Sequence, residues 1–394
     1  MTRPSNAGAA TAPMAEGAPR ALAAAIPHQP AACLALTTAL RNPTHAFIFT
    51  GPPGTGKRAA ARAFAAELIA DGAPDPTDAR RRALADPSPH PDLVWLEPPG
   101  AQHLIETVRE RVIAAASYRP FEGARRLFVI AGADAMAEAS QNALLKTLEE
   151  PAPYAHLILI TSEPEALLET VRSRCRAIRF APLSPEAIEG TLAERAPASS
   201  EEERRAASRL AAGDVERAAM LCSPPGRELR DAVVATARAA RAGDLTQRPW
   251  ERLLAAAEAV GEVAADAARE GARTLAEEAG ETSGPAVRKR SREAEEGARR
   301  VARRARTATL DLGLELLAAW LRDLAAVTEG AADLVLNGDR AGALADDAEG
   351  LDGRRARRGA ELVMDTRRRL TVNVNEELAL EALLYRLESL LATR

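Results

Sequence analysis

The chain has 394 residues, of which 46% are hydrophobic and only 3% aromatic, and its formal net charge is −4. This length predicts two or three domains of about 100–200 residues each, and the slightly acidic balance disfavours a free-standing nucleic-acid-binding domain, which is usually strongly basic. The three widely separated cysteines, Cys33, Cys175 and Cys222, exclude a disulfide framework. No apolar run reaches the ~18 residues of a membrane span, so no membrane association is predicted.

Residues 1–20 are rich in Ala, Pro, Gly and Ser and lack the continuous apolar core of a signal peptide. We predict a disordered tail there and a cytoplasmic protein.

Between residues 21 and 182, short apolar runs alternate with segments of helical spacing. The predicted strands are 46–50, 93–96, 127–131, 157–161 and 177–180, and the predicted helices between them are 59–70, 104–116, 138–149 and 164–172. Such alternation predicts an α/β domain with a parallel sheet and helices on both faces.

The strand signal ends after Pro182. Residues 183–243 predict short helices broken at Pro197, at Gly213 and over 223–226, which together form a small helical domain. Residues 244–394 predict an all-α bundle that contains a charged, partly flexible segment over 277–306 with a hinge near Gly280. Its buried faces are marked by leucines spaced by three and four residues from Leu310 to Leu324, and by a last helix after Asn375.

The sharpest motif is a glycine-rich loop between the first strand and its helix, Gly51-Pro52-Pro53-Gly54-Thr55-Gly56-Lys57. Phosphate binding requires converging backbone N–H groups, a helix N-terminus and a lysine, and all three are predicted here. Only three of the 52 basic residues are lysines, so an ammonium at this position is informative. We therefore predict nucleotide binding by Gly51, Gly54, Thr55, Gly56 and Lys57; the alternative is an ordinary strand-to-helix turn.

The magnesium side of this motif is defective. Arg58 stands where a Ser or Thr hydroxyl should hold Mg²⁺, and Ala131 and Gly132 follow the third strand where carboxylates are expected. Asp134 is predicted to cap the following turn, and Arg58 to be a solvated helix residue. ATP or ADP is thus a candidate ligand, no metal is predicted, and hydrolysis should be very weak or absent.

Two further blocks, 141–151 (QNALLKTLEEP) and Ser173-Arg174-Cys175, carry a specific resemblance. With the phosphate loop, they resemble bacterial DNA polymerase III clamp-loader subunits of the AAA+ class, and within these the delta-prime subunits. The resemblance covers about residues 21–243 well and the C-terminal helices more loosely, including 372–375 (VNVN). It implies an AAA+ domain over 21–182, a helical lid over 183–243, and a collar over 244–394 that assembles a ring of five.

The resemblance also implies residue roles. Arg174 would be an arginine finger that acts in trans on the ATP of the adjacent subunit, Thr161 would be sensor 1, and Arg217 would be the sensor-2 arginine of the lid. A finger supplies positive charge to the γ-phosphate during phosphoryl transfer. Taken outside its motif, Arg174 would simply cap a helix end.

Three departures or open points remain. Many relatives carry a four-cysteine zinc module where residues 71–91 contain no cysteine, so zinc is not predicted, and His90-Pro91-Asp92 is expected to lead into a strand. Lys146 is either a solvated residue paired with Glu150 or a contact to DNA or a neighbouring subunit. The basic residues of 288–306 alternate with glutamates, which favours a solvated charged helix over a DNA-binding surface.

The resemblance implies a non-hydrolysing stator of the DNA polymerase III holoenzyme. Its partners would be the delta and gamma/tau subunits, the sliding clamp and primer-template DNA, within a nucleoid-associated cytoplasmic replisome. One alternative is an ATP-hydrolysing motor subunit of the gamma/tau type or another active AAA+ ATPase, which would need an acidic residue from elsewhere for Mg²⁺. A stand-alone DNA-binding adaptor is a third candidate, and the net charge disfavours it.

Overall fold

The computed structural model describes residues 19–98, 103–278, 285–370 and 375–392. Most of the predicted tail, the hinge at Gly280 and the first three residues of the VNVN motif lie outside these ranges. The chain divides into two compact units at Leu183 and Ser184. Among the described residues, no helix combines the length and the apolar character that crossing a bilayer demands.

The first unit is built on a five-stranded parallel sheet with the strand order β2-β3-β4-β1-β5. The strands are β1 Ala46–Thr50, β2 Leu93–Leu96, β3 Arg126–Ala131, β4 Ala155–Thr161 and β5 Arg176–Arg179. Its α-helices are α1 Arg20–Ala25, α2 Pro30–Arg41, α3 Lys57–Ala70, α4 Pro76–Leu84, α5 Ile105–Val108, α6 Glu138–Glu149 and α7 Glu169–Arg172. The predicted α/β fold with a parallel sheet is confirmed.

Helices cover both faces of this sheet because successive strand side chains point to opposite sides. Phe47 and Phe49 of β1 pack with Phe64 of α3 on one face, and the Phe47 and Phe64 rings lie 5.0 Å apart at their centroids. Ile48 lies between them in sequence and joins the core on the other face, which includes Leu144 of α6. The alternating burial of β1 thus fixes the strand whose end carries the phosphate loop.

Two of the predicted helices are interrupted in the structure. The segment predicted as one helix over 104–116 consists of α5, a π-helical turn Arg109–Ala114 and a 3-10 turn Ala115–Ser117. The segment predicted over 164–172 is a 3-10 turn Pro164–Ala166 followed by α7. Helix α4, which the sequence patterns did not indicate, begins at Pro76, and the carboxylate of Asp75 caps it.

The second unit is helical throughout its described residues. Its α-helices are α8 Pro185–Arg195, α9 Glu201–Leu210, α10 Val215–Cys222, α11 Pro224–Ala242, α12 Trp250–Glu278, α13 Pro285–Thr328, α14 Ala341–Ala348, α15 Gly353–Leu370 and α16 Glu376–Leu391. The predicted helix breaks at Pro197 and Gly213 fall between these helices and are confirmed, whereas the break predicted over 223–226 is confined to Ser223, because α11 begins at Pro224. The division of this unit into a lid and a collar stays a prediction.

Helix α13 has 44 residues and is therefore roughly 66 Å long. The leucines predicted to line a buried face, Leu310, Leu314, Leu317, Leu321 and Leu324, are all buried on it. Its described N-terminal part lies in the charged segment, where Arg299 pairs with Glu295 and Arg292 with Glu296. These pairs agree with the interpretation of a solvated charged helix.

Candidate functional site

The glycine-rich loop connects the end of β1 to the start of α3. Gly51, Gly54 and Gly56 have backbone φ angles of 143°, 67° and 88°, which residues other than glycine rarely adopt. A Cβ atom added to Gly51 would lie 2.2 Å from the carbonyl oxygen of Phe180, just beyond β5. The loop therefore needs glycine at Gly51 both for its φ angle and for its close approach to the neighbouring strand.

Lys57, the first residue of α3, is buried beneath this loop with 6% of its surface exposed. Its Nζ donates to the carbonyl oxygens of Gly51, at 2.6 Å, and Pro52, and it lies 3.5 Å from Oγ of Ser162. Thr55 is also buried, and its Oγ1 donates to the carbonyl of Pro52 at 2.9 Å. The ammonium is thus held inside the loop, at the position where a phosphate loop needs a positive charge.

The N-terminus of α3 has the character of an anion site. Gly56 is its N-cap in the left-handed conformation, no side chain caps the helix, and its first turn contains no acidic residue. The backbone N–H groups of a first helical turn have no partner within the helix and carry partial positive charge. Together with Lys57, they form a cradle whose chemistry fits nucleotide phosphates.

Gln29 ties this loop to the end of β5, a contact that sequence analysis missed. Its Nε2 donates to the carbonyls of Thr55, at 3.2 Å, and Ala181, at 2.6 Å, and its Oε1 accepts from the N–H of Ala181 at 3.1 Å. Gln29 is 5% exposed. A single buried glutamine far from the motif in sequence gives no local pattern that could have predicted this role.

Thr161 lies beside the phosphate loop because the sheet aligns it with Thr50. It is buried at the end of β4, and its Oγ1 accepts from the N–H of Glu163 at 3.0 Å. The N–H of the next residue, Ser162, donates to Oδ1 of Asp134 at 3.3 Å. The prediction that Asp134 caps the turn that follows it is therefore wrong: its carboxylate bonds across to the end of β4.

At the position beside the loop where a ligand of Mg²⁺ is expected, Arg58 contacts Glu97 and Trp95 at the end of β2. Arg58 forms an ion pair with Glu97, and its Cζ lies 5.6 Å from the centroid of Trp95. Nε1 of Trp95 also donates to Oε1 of Glu97, at 3.0 Å. Arg58 is exposed on α3, which agrees with the prediction of a solvated helix residue, and its guanidinium also pairs with the end of β2.

No carboxylate takes the second magnesium position either. Ala131 is buried at the end of β3, and Nε2 of His103 lies 3.0 Å from its carbonyl oxygen and 3.1 Å from that of Gly132. Across the part of the chain that the structure describes, no three His, Cys, Asp or Glu side chains are grouped so that they could hold a metal ion. The phosphate side of the site offers Lys57 and the N-terminus of α3, whereas Arg58 and Ala131 stand where ligands of Mg²⁺ are expected. Nucleotide binding without a metal stays a prediction.

An ion pair and backbone hydrogen bonds hold residues 71–92, in which the sequence has no cysteine. Arg80 of α4 makes two 3.0 Å hydrogen bonds to the carboxylate of Glu67 on α3. Asp92 accepts from the backbone N–H groups of Phe121, at 2.7 Å, and Glu122, at 3.0 Å. Asp92 thus anchors the start of β2, as the prediction of a strand lead-in requires.

Arg174 lies between α7 and β5 and makes two contacts. Its Nη2 is 2.6 Å from Oε1 of Glu149 at the end of α6, and its Nη1 donates to the carbonyl of Thr170 at 2.9 Å. The second bond is the helix-end cap that we considered as an alternative, and the first is a long-range ion pair.

Burial raises the pKa of the adjacent Cys175 thiol to about 12, so this thiol is protonated at neutral pH.

Arg174 and the phosphate loop lie at opposite edges of the sheet. Arg176 is level with Phe47 and Arg179 with Thr50 in the parallel β1–β5 pair. Arg174 therefore precedes the amino end of β5, whereas the loop follows the carboxyl end of β1, about 15 Å away at 3.3 Å per residue. This placement leaves the guanidinium out of reach of its own phosphate loop.

Two residues of the QNALLKTLEEP block have defined surroundings. Gln141 is buried; its Nε2 donates to the carbonyls of Met136, at 2.9 Å, and Ala166, at 3.1 Å, and its Oε1 accepts from the N–H of Leu168 at 2.7 Å. It thereby fixes the loop that leads into α7. Lys146 is exposed, and no ion pair joins it to Glu150 among the described residues, so a solvated residue and a contact to DNA or a neighbouring subunit both stay predictions.

Arg217 belongs to the second unit and is engaged there. Its Nη1 donates to Oε2 of Glu315 on α13 at 2.5 Å, and its side chain is 24% exposed. Arg367 of α15 contacts the same carboxylate at 2.6 Å. The structure therefore assigns Arg217 an ion pair within its own unit, and its sensor-2 role stays a prediction.

The chain matches two protein families. Residues 28–184 match the family described as DNA polymerase III, delta subunit, and residues 306–389 match DNA polymerase III, delta subunit, C terminal. DNA polymerase III subunit delta′ of Bacillus subtilis is 36% identical over 157 residues, which are 39% of this chain and 46% of that protein. The Escherichia coli subunit delta′ is 33% identical over 218 residues, or 54% of this chain and 63% of that protein.

A solved structure of a DNA polymerase III gamma subunit-related protein from Thermotoga maritima is 16% identical, with a TM-score of 0.42, over 90% of this chain and 99% of that one. Of the two delta′ relatives, the chain spans 46% of the Bacillus subtilis protein and 63% of the Escherichia coli protein. The resemblance that the motifs indicate is confirmed: the chain is similar to bacterial DNA polymerase III clamp-loader subunits, and to delta′ subunits among them.

Proposed function

We propose that this chain works as a delta-prime-type stator of a DNA polymerase III clamp loader, which presents Arg174 to the ATP of an adjacent subunit and does not hydrolyse ATP itself. The observation that carries the proposal is the separation of two half-sites within one domain. The phosphate loop has Lys57 in place but no metal ligands, and Arg174 lies at the opposite edge of the sheet. Its relatives named delta′ support the same assignment.

Each half-site has its own proposed chemistry. The N–H groups at the start of α3 and the ammonium of Lys57 would hold the phosphates of ATP or ADP, after Lys57 releases the carbonyls of Gly51 and Pro52. A bound nucleotide would supply negative charge that steadies the loop. Arg174 would place its guanidinium on the γ-phosphate of a neighbouring subunit, where positive charge stabilises the transition state of phosphoryl transfer.

The proposed partners follow from this assignment. They are the delta and gamma/tau subunits of the clamp loader, and through the assembled complex the sliding clamp and primer-template DNA in the replisome. Thr161 and Arg217 are proposed to sense the nucleotide of the complex, and Arg217 would first have to leave Glu315.

The first experiment tests the nucleotide half-site on the purified chain. We expect a fluorescent ATP analogue to bind with the same affinity in Mg²⁺ and in EDTA, and ATP turnover to stay at background. Lys57→Ala should abolish binding under both conditions, whereas Lys146→Ala, an exposed lysine of the same domain, should leave it unchanged. Magnesium-dependent turnover would instead support an ATP-hydrolysing motor subunit.

The second experiment tests the finger in a reconstituted clamp loader whose other ATP sites are inactivated. Arg174→Ala should reduce turnover at the adjoining site by about 10³-fold or more. Arg172→Ala is the matched control, because Arg172 precedes it by two residues and pairs only with Glu165 among the ion pairs of the described residues. Equal turnover in the Arg174→Ala and wild-type complexes would refute the finger.

A further inference from the structure

Glu149 is the only acidic side chain that contacts the guanidinium of Arg174 among the described residues. Resting on the proposed function, we propose that Glu149 is a positioning residue that latches Arg174 within its own subunit. Its carboxylate competes with the phosphates of the neighbouring nucleotide for this guanidinium and thereby lowers the availability of Arg174 until that nucleotide is in place.

The two terminal nitrogens of the Arg174 guanidinium contact two different groups of the same subunit. Nη2 lies 2.6 Å from Oε1 of Glu149, and Nη1 donates to the carbonyl of Thr170 at 2.9 Å. An arginine binds a phosphate through a planar pair of N–H donors. A two-pronged contact to phosphate that uses Nη2 competes with the carboxylate of Glu149 at this nitrogen, and the neutral carbonyl of Thr170 offers the weaker competition at Nη1.

The topology of the sheet explains why these two residues meet although 24 other residues separate them in sequence. Helix α6 starts beyond the carboxyl end of β3 and returns to the amino end of β4, so Glu149, its last residue, lies at the amino edge of the sheet. Arg174 lies at the same edge, directly before β5. The latch thus joins the end of the QNALLKTLEEP block to the Ser-Arg-Cys motif.

The exposure of the pair makes the latch reversible. The side chains of Arg174 and Glu149 are 36% and 49% exposed, and ion pairs with such access to water are weak. We therefore expect the latch to change the availability of Arg174 by about two- to fivefold. A nucleotide carries more negative charge than one carboxylate and would displace Glu149 once the subunits are assembled.

Glu150 provides a matched control. It is the next residue along the chain, it is also exposed, and the described residues contain no ion pair to its carboxylate. Glu149→Gln and Glu150→Gln remove the same charge from adjacent positions and change the net charge of the domain equally. Only the first removes the carboxylate that contacts Arg174.

A test on the isolated chain does not depend on the proposed function. Phenylglyoxal modifies arginines whose guanidinium is accessible and unpaired, and mass spectrometry reports its rate at Arg174. We expect Glu149→Gln to accelerate modification at Arg174 two- to fivefold, and Glu150→Gln to leave the rate at the wild-type value. Equal rates in the two variants would overturn the latch, whether or not Arg174 is a finger.

The reconstituted complex tests the competition with ATP. We expect Glu149→Gln to lower the ATP concentration for half-maximal turnover at the adjoining site two- to fivefold, without a loss of maximal rate, and to have no effect in the Arg174→Ala background. A fall in maximal rate would overturn the latch and make Glu149 a support that presents the finger. If Arg174→Ala itself has no effect, the proposed function fails, and the phenylglyoxal result still decides on the latch.

Discussion

Gly51 carries two constraints that only glycine satisfies. Its φ is 143°, and an added Cβ would lie 2.2 Å from the carbonyl oxygen of Phe180. We expect Gly51→Ala to lower the free energy of unfolding by about 1–3 kcal/mol, the usual cost of backbone strain at such a site, and to weaken nucleotide binding. Thermal denaturation and titration with a fluorescent nucleotide would measure the two effects.

Gly190 is the control for this substitution. It lies within α8, and a Cβ added there would have no atom within 4 Å. Gly190→Ala should stabilise the protein by about 0.5–1 kcal/mol, because alanine loses less backbone entropy in a helix. If both substitutions shift the melting temperature equally, the close approach of the loop to Phe180 is not a constraint.

His156 links stability to pH at a single residue. It is 5% exposed in β4, its Nδ1 lies 2.9 Å from the carbonyl of Thr44, and burial lowers its pKa, with smaller contributions from Arg125 and His45. Because the folded-state pKa is below the unfolded value of about 6.5, the unfolded chain binds more protons in acid. The stability that neutral His156 contributes is therefore complete above pH ~6.5 and is lost as the pH falls from that value toward the lower pKa of the folded state.

We expect His156→Gln to flatten this part of the stability profile. Denaturant unfolding between pH 7.5 and 5.5 would show a slope reduced by at most ~1.4 kcal/mol per pH unit, the value for one proton. His28→Gln, at an exposed position, should keep the wild-type slope. An unchanged slope in His156→Gln would assign the pH dependence to other groups, such as His90, whose pKa burial also lowers.

At the scale of elements, strands β1, β3 and β4 were predictable because each is a short apolar run that the sheet buries on both faces. The observed β1 and β2 have the predicted bounds, and β3 begins one residue earlier than predicted. The helix breaks at Pro197 and Gly213 were also predictable because both residues act locally, whereas Pro224, Pro225 and Gly226 start a helix that they were predicted to break. Local sequence chemistry decides these features, so a single sequence is sufficient to find them.

Contacts between distant elements were not predictable in the same way. Arg58 and Glu97, Arg174 and Glu149, and Gln29 and Ala181 come together only when the sheet places their elements side by side. Arg58 and Arg174 are two among many arginines in the chain, so composition gives no signal of which acidic residue each of them contacts. The phosphate loop was found from its spacing, whereas the partners that hold it required the fold.

A buried hydrogen-bond network that includes the ion pair of Arg230 and Asp339 links helices α11 and α13 of the second unit. Arg230 of α11 makes hydrogen bonds of 2.8 Å and 2.7 Å to the carboxylate of Asp339, and the two side chains are 4% and 8% exposed. Arg230 also donates to Asn337 at 3.2 Å, and the side-chain amide of Asn337 donates to Asp323 of α13 at 2.9 Å. The backbone N–H groups of Leu336 and Asn337 also donate to Asp323, at 3.0 Å and 2.9 Å, so the network joins the two helices through the segment 336–339.

We expect Asp339→Ala to destabilise the second unit by about 3–5 kcal/mol, because it leaves the charge of Arg230 buried without its partner. Helical circular dichroism during thermal or urea unfolding would measure the loss. Asp333→Ala is the control, since Asp333 is exposed on the same segment and should change stability by less than about 0.5 kcal/mol. Similar losses in the two variants would show that the network contributes little.

At the scale of the whole molecule, the first unit contains everything that its fold requires. Both of its buried cores consist of residues between Leu22 and Phe180. Its final contacts lie just before the boundary, where the N–H of Phe180 donates to the carbonyl of Thr50 at 2.8 Å and Ala181 bonds to Gln29. A chain that ends at Leu183 therefore keeps the complete sheet and the phosphate loop.

We expect the fragment 1–183 to unfold cooperatively and to bind the fluorescent nucleotide with the affinity of the full chain. A fragment 1–174 should melt at a lower temperature and bind more weakly, because it lacks β5, the ring contact of Phe180 with Phe49 at 5.5 Å, and the carbonyl that confines Gly51. The two fragments differ by nine residues at one end, so a difference between them reports on that strand. Equal melting temperatures would mean that β5 does not support the loop, and failure of 1–183 to fold would show that the first unit depends on the second.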